Sequence, residues 1–383
     1  MGILLALLIP LQRAPGDAHP DVPQARVDEA IARGVKFLAT APSPDADKGI
    51  KDSDELILLT LVHAGDAGPR RHALLKAVLE KPLERTYSVS LLAMSLEALD
   101  RSRHQPKIFQ CAQFLIDNMM ENGRWSYGAP SEFASSATLP PATKAGRKVP
   151  VRKMKTPPGQ GGDNSNSQYA ALGLRACHEA GIVFPRDAIE KARRSWLECE
   201  HPAEGDGPRK AAAGPSRSTV VMGQPRGWCY QKGGGNCEYA GPPYASMTAG
   251  AAGAVCIYDY MLGRDWKGDP AVADGLAWLD KHWSVTENPG GSETGGPGKG
   301  EKTWHLYYLY ALERLGMLYY TTRVGGHDWY KEGALYLLDA QSANGSWKVS
   351  HSMNATWDTC FAVLFLKRAT RPMVASTDRF NSR

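Results

Sequence analysis

Apolar positions recur along the chain with helical spacing nearly throughout. Tyr169, Leu172, Gly173, Ala176 and Cys177 fall on one helix face, and Ala334, Leu337, Leu338 and Gln341 repeat the same spacing. Outside short turns no convincing alternating run suggests a strand. The helices come in six pairs. First members start near Arg26, Arg70, Pro106, Pro185, Pro270 and Asp328, and their partners near Asp52, Thr86, Asp163, Tyr244, Lys302 and Asn354. The two classes differ in polarity. Leu56 to Val62, Leu91 to Met94 and Cys360 to Leu366 are apolar nearly all round, which marks the second members as buried on every side. The first members carry charge on one face, as Arg26, Asp28, Glu29, Arg33 and Lys36 do around Ile31, Val35 and Leu38. Inner helices wrapped by outer ones, joined in sequence, predict an all-α fold, an α/α toroid of six helical hairpins around a central cavity.

Local chemistry supports these boundaries. Pro106, Pro185 and Pro270 stand at first helical turns, where a missing N–H costs nothing, and Asp163, Asn164 and Ser165 offer an N-cap. The connections 126–162, 201–243 and 284–301 are rich in Gly, Pro and Ser, and each leads from an outer helix to an inner one. All three therefore emerge at one rim, where function is usually built. Lys144 to Lys155 reads as a basic loop.

The first 18 residues begin with an apolar run too short to span a bilayer as an anchor. Residues 1–22 are read as a signal peptide, 23–372 as the toroid and 373–383 as a flexible tail, which predicts an extracytoplasmic, soluble protein. Seven cysteines are too few for a disulfide-built scaffold, although a Gly-rich turn could join Cys229 to Cys237. Cys111, Cys177 and Cys256 fall on apolar helix faces as small core residues. A net charge of +5, from 45 Lys and Arg against 40 Asp and Glu, argues against a nucleic-acid partner.

Gln341-Ser-Ala-Asn-Gly345-Ser-Trp347 is a complete Gln-x-x-x-Gly-x-Trp motif, Met119-Met-Glu-Asn-Gly123-Arg-Trp125 repeats it with Met in the first place, and Gly227-Trp228 is a third fragment. On these segments the chain resembles the terpenoid cyclase and protein prenyltransferase superfamily, in particular its squalene-cyclase-type repeat proteins. The resemblance implies a toroid over roughly residues 25 to 370, with the Gly permitting a turn and the Trp stacking at the hairpin end. It also implies an apolar or amphipathic ligand, isoprenoid-like, bound and in a cyclase transformed. A squalene-type cyclase needs no cofactor, whereas a prenyltransferase carries zinc.

Free N–H groups at the inner-helix starts favour anions at the mouth. Tyr87, Asp163, Gln168, Tyr169, Tyr244, Trp304, Tyr308 and Trp357 are the candidate ligand-binding residues there, with Tyr307 among the accompanying aromatics. Asp52-Ser53-Asp54-Glu55 is similar to the acidic motif of the cyclases, with Asp54 in the proton donor's place beside Asp52 and Glu55; a plain acidic N-cap explains the same residues. Asp358 and Cys360 resemble the zinc-binding pair of the prenyltransferases, with His305 as the third ligand; a core thiol and a hydrogen-bonded imidazole explain them equally. Two other classes fit the fold. One is a non-catalytic scaffold meeting protein partners or a membrane surface through its rim loops. The other is an α/α-barrel glycan hydrolase or lyase using Asp54, Glu55 or Asp163.

Overall fold

The structure, a computed structural model, describes residues 14–42, 53–139, 147–159, 161–204, 223–230, 241–291, 302–350 and 354–373. Asp52, Cys237 and residues 144–146 of the basic loop lie outside them. The outer helices are α1 (Gln24–Thr40), α3 (Pro69–Glu80), α5 (Gln105–Asp117), α8 (Arg186–Glu198), α10 (Pro270–Lys281) and α12 (Trp329–Ala340). The inner helices are α2 (Ser53–Ala64), α4 (Thr86–Asp100), α7 (Asn164–Glu179), α9 (Ala245–Leu262), α11 (His305–Tyr319) and α13 (Ala355–Lys367). A one-turn α6 (Glu132–Ser136) and a parallel pair of two-residue strands, β1 (Val149–Pro150) and β2 (Ile182–Val183), decorate the connections.

Each inner helix packs on the next, α2 on α4, α4 on α7, α7 on α9, α9 on α11 and α11 on α13, and α13 returns to α2, so the ring is closed. Outer helices lean on the inner ones beside them, as α5 does on α4 and α7 and α1 on α13 and α2. The polarity contrast causes this arrangement. In α9 the residues from Ala245 to Tyr260 are all buried, whereas α8 buries Ala188, Ile189, Ala192, Ser195 and Trp196 along one stripe.

The Trp motifs are structural locks, repeated three times. The indole N–H of Trp125, Trp228 and Trp347 donates to the carbonyls of Leu115, Trp196 and Leu337, near the ends of α5, α8 and α12, at 2.7, 2.9 and 2.8 Å. Their backbone N–H groups donate to the hydroxyls of Ser167, Thr248 and Thr359 on the next inner helix, at 3.1, 3.1 and 3.0 Å. One buried residue thus bonds a carbonyl in the last turn of an outer helix and fixes the inner helix that follows. The complete motif does more, because Gln341 donates to Ala30 O on α1 at 2.8 Å. Gly345 adopts a φ of +87° against α1, where a Cβ would stand 2.5 Å from Arg33 O. This segment closes the ring between the last hairpin and the first.

Residues 14–22, within the stretch read as a signal peptide, pack on the toroid. His19 and Val22 are buried, and His19 Nε2 bonds Asp328 Oδ2 at 2.9 Å. Lys331 bonds Asp21 at 2.7 Å. No helix among the described residues is long and apolar enough to cross a membrane. Cys199 is disulfide-bonded, so the described cysteine in a disulfide is not Cys229, the one singled out by its Gly-rich turn.

Candidate functional site

The inner helices all start at one rim, and the side chains around α7 build its centre. Asp163 caps α7, accepting from Asn166 N and Asn166 Nδ2 at 2.7 Å each and from the Tyr230 hydroxyl. Burial pushes its carboxyl above the usual range against the pull of those hydrogen bonds. Tyr87, Tyr230, Tyr244 and Tyr307 are near enough to act on one another and on Asp163 electrostatically.

Below Asp163 a chain of hydrogen bonds runs down the axis, and its direction is fixed at the lower end. Arg314 of α11 can only donate, and it gives Nη2–H to Gln168 Oε1 at 3.0 Å. Gln168 Nε2–H therefore donates to the Tyr307 hydroxyl, at 2.5 Å. The Tyr307 hydroxyl also bonds Ser165 Oγ at 2.9 Å, and Ser165 bonds the Tyr87 hydroxyl. Half-buried Tyr87 is the upper end of this chain. Gly250 of α9 leaves room for this chain, since a Cβ there would lie 2.3 Å from Gln168 Oε1.

Arg314 is 3% exposed and lies 5.3 Å from the Tyr169 ring centre and 4.3 Å from that of Tyr310. Its guanidinium covers aromatic faces that the toroid would otherwise offer a ligand. The rings of Tyr87 and Tyr169 lie 4.4 Å apart, and Phe361 stands 5.7 Å from Tyr307 and 6.2 Å from Trp357. The axis is thus lined by aromatic rings and a polar chain. Trp304 flanks Tyr307 at 6.1 Å and holds a φ of +56°, a strained conformation for a bulky residue.

Trp357 stands one ring away from Tyr307, against Phe361, and donates to Ser53 Oγ at 2.8 Å; of the other residues expected at the site, Tyr87, Asp163, Gln168, Tyr169, Tyr244 and Trp304 gather around Tyr307. Tyr308 does not. It is fully buried and donates to Ser284 O at 3.0 Å, tying α11 to the α10–α11 connection. Asp54 and Glu55 stand at the start of α2, paired with Lys81 Nζ at 2.8 and 3.2 Å. A bound ammonium favours the ionised carboxylate, the opposite of what a proton donor requires.

The three residues expected to hold zinc do not form a site. Among the described residues no group of three His, Cys, Asp or Glu side chains is placed to hold a metal. His305 Nε2 bonds Val285 O at 2.9 Å, and burial drops its imidazole to about 4. Asp358 Oδ2 holds the N–H groups of Val349 and Ser350 at 2.8 Å each, and burial raises the carboxyl to about 6. Burial pushes the Cys360 thiol up to about 12.

No family model matches the sequence, and no curated protein does. Solved structures match the fold. A possible member of the GH105 family from Klebsiella pneumoniae is 10% identical over 96% of this chain and 98% of its own, with a TM-score of 0.55. An inactive variant of an alpha-1,6-mannanase, GH76A of Salegentibacter, in complex with alpha-1,6-mannotriose, is 9% identical over 90% of this chain and 99% of its own, with a TM-score of 0.51. The type II terpene cyclase MstE from Scytonema, 12% identical over 91% of this chain and 98% of its own, gives a TM-score of 0.34. The closed ring of hairpins and the likenesses above 0.5 together identify the chain as an α/α toroid.

Proposed function

We propose that this toroid binds a carbohydrate at the mouth where its inner helices begin. The observation that carries the reading is the hydrogen-bonded chain that climbs from Arg314 through Gln168, Tyr307 and Ser165 to Tyr87, near Asp163. Hydroxyls and a carboxyl, groups that can give and take hydrogen bonds, stand together there with the rings of Tyr230, Tyr244, Tyr307 and Trp304. Sugars present hydroxyls that both give and take protons, and C–H faces that stack on such rings. The same fold in the mannanase is seen with a mannotriose, which supports the class of ligand.

An isoprenoid fits this site less well. Cationic intermediates require free π-faces, and Arg314 already lies over Tyr169 and Tyr310. A fixed positive charge on the axis also repels a carbocation, and the cyclase acid would have to be Asp54, which is ion-paired.

If the bound glycan is also cleaved, Asp163 is the carboxyl at the mouth from which acid chemistry would start. Asp163→Asn separates binding from chemistry without removing the helix cap, because Asn caps as well as Asp. The test is calorimetric titration with neutral and acidic oligosaccharides, alpha-1,6-mannotriose among them, beside farnesol. Saturable sugar binding is expected, weakened roughly fivefold by Tyr87→Phe for one lost hydrogen bond of about 1 kcal/mol. Farnesol binding with no sugar bound would return the reading to lipids.

A further inference from the structure

Tyr127 is the most exposed large apolar side chain among the described residues, 56% open to solvent, yet its backbone is fixed. The segment that carries it is strapped across the starts of α7 and α4. Trp125 O accepts from Asp163 N at 3.0 Å, Ser126 O from Thr86 Oγ1 at 2.7 Å and Tyr127 O from Thr86 N at 2.8 Å. Gly128 follows at a φ of +89°, where a Cβ would stand 3.0 Å from Phe114 Cζ of α5. The ring is held as well. The Arg85 guanidinium lies over it, 5.2 Å from its centre. Its hydroxyl is within hydrogen-bonding reach of the Tyr230 hydroxyl, which in turn reaches Asp163. Single exposed rings are common on any protein surface. Tyr127 differs from those in being fixed at its backbone and joined, through Tyr230, to the carboxyl at the centre of the mouth.

We propose that Tyr127 is a stacking platform for a second sugar ring, so that the mouth takes an oligosaccharide in preference to a single sugar. The inference rests on the carbohydrate reading of the mouth. One ring of the glycan meets the hydroxyls and the carboxyl around Tyr87 and Asp163, and the next lays a C–H face on Tyr127. The row from Asp163 through Tyr230 to Tyr127 sets the direction of the chain, from the start of α7 towards the start of α4. Tyr127 is two hydroxyls away from Asp163, within the reach of neighbouring rings of one chain. A ring already ordered by Arg85 and by its own backbone adds little ordering cost when a sugar settles on it.

The experiment is calorimetric titration of the full chain with the mono- and disaccharides of mannose, glucose and galacturonic acid. In a series that binds, the disaccharide is expected to bind wild type roughly fivefold more tightly than the monosaccharide, the scale of one aromatic contact. Tyr127→Ala should bring that ratio close to unity, whereas Tyr127→Phe and Tyr127→Trp should keep it, because stacking needs the ring and not the hydroxyl. A merely structural role would weaken both sugars together and leave the ratio standing. Thermal melts show which variants fold, and the ratio in wild type decides even if one does not. Equal affinity of wild type for the two sugars, or a wild-type ratio in a folded Tyr127→Ala, would overturn the inference and leave the carbohydrate reading in place. Wild type binding none of these sugars would overturn both.

Discussion

Two glycines on α9 isolate the energetics of the polar axis. Gly250→Ala and Gly253→Ala change the same helix in the same way, and each gains up to about 1 kcal/mol of helix propensity. Their surroundings differ. At Gly253 the nearest atom to a new Cβ is Leu318 Cδ1 at 3.5 Å, an ordinary contact. At Gly250 the Cβ would meet Gln168 Oε1 at 2.3 Å and its Cδ at 2.7 Å, so the amide must leave. Gln168 then loses its bonds to Arg314 and Tyr307, and Arg314 keeps a charge in the interior with less to hold it. A hydrogen bond to a charged group contributes about 1.5–3 kcal/mol and a neutral one about 1 kcal/mol. After the propensity gain, Gly250→Ala should be less stable than wild type by about 2 kcal/mol and Gly253→Ala slightly more stable. Urea unfolding with equal m-values measures the difference. The clash should also vanish in a Gln168→Ala background, which a double-mutant cycle reads directly. Equal stability of the two single variants would refute the claim that Gln168 is held in place.

Glu313 is fully buried, accepts from Thr370 N and Thr370 Oγ1 at 2.9 and 2.8 Å, and is raised by burial from 4.5 to about 7. The folded state holds that proton more tightly than the unfolded one, so the stability is full below about pH 4.5 and lost as pH rises towards 7. Glu313→Gln should match wild type at pH 4.5 and exceed it at pH 7.5, by an amount on the order of 2 kcal/mol; urea unfolding at the two pH values would show the reverse if the carboxylate were favourably solvated. Gly345→Ala should cost about 3 kcal/mol or more, because a left-handed φ is combined with a clash at Arg33 O, whereas Gly65→Ala, with a φ of +77° and nothing within 4 Å, should cost about 1 kcal/mol. Chemical denaturation of the pair tests the ring closure. Trp125→Phe and Trp347→Phe each strand one carbonyl, and both should cost about 1–3 kcal/mol; a large inequality between them would mean that the two locks are not the same device.

Much of the fold was legible because burial sets the period and polarity of a helix. All twelve expected starts fall within three residues of the observed ones, from Gln24 against Arg26 to His305 against Lys302. The site was less legible because it depends on rotation and on distant partners. Tyr307 and Tyr308 differ by one position, about 100° around α11, which sends one to the axis and the other to the α10–α11 connection. Lys81 lies 27 residues from Asp54 and meets it only through the α2–α3 hairpin. Arg314 did leave a signal: Glu313-Arg314 is a charged pair inside the otherwise apolar run of α11, and buried charges need partners. Nothing in the periodicity shows that Arg314 lies over the rings of Tyr169 and Tyr310, since that follows from side chains meeting in space.

The two ends of the toroid differ for a reason that the helices impose. Six inner helices point the same way, so their dipoles sum to a positive mouth and a negative opposite pole. The charges follow in part: Asp54, Glu55, Asp163 and Asp358 stand in or beside first turns and His63, Arg175, Lys367 and Arg371 at or near the far ends, where Glu97, Asp100 and Glu179 run against the trend. Dipole complementarity alone would therefore place an arginine near position 175.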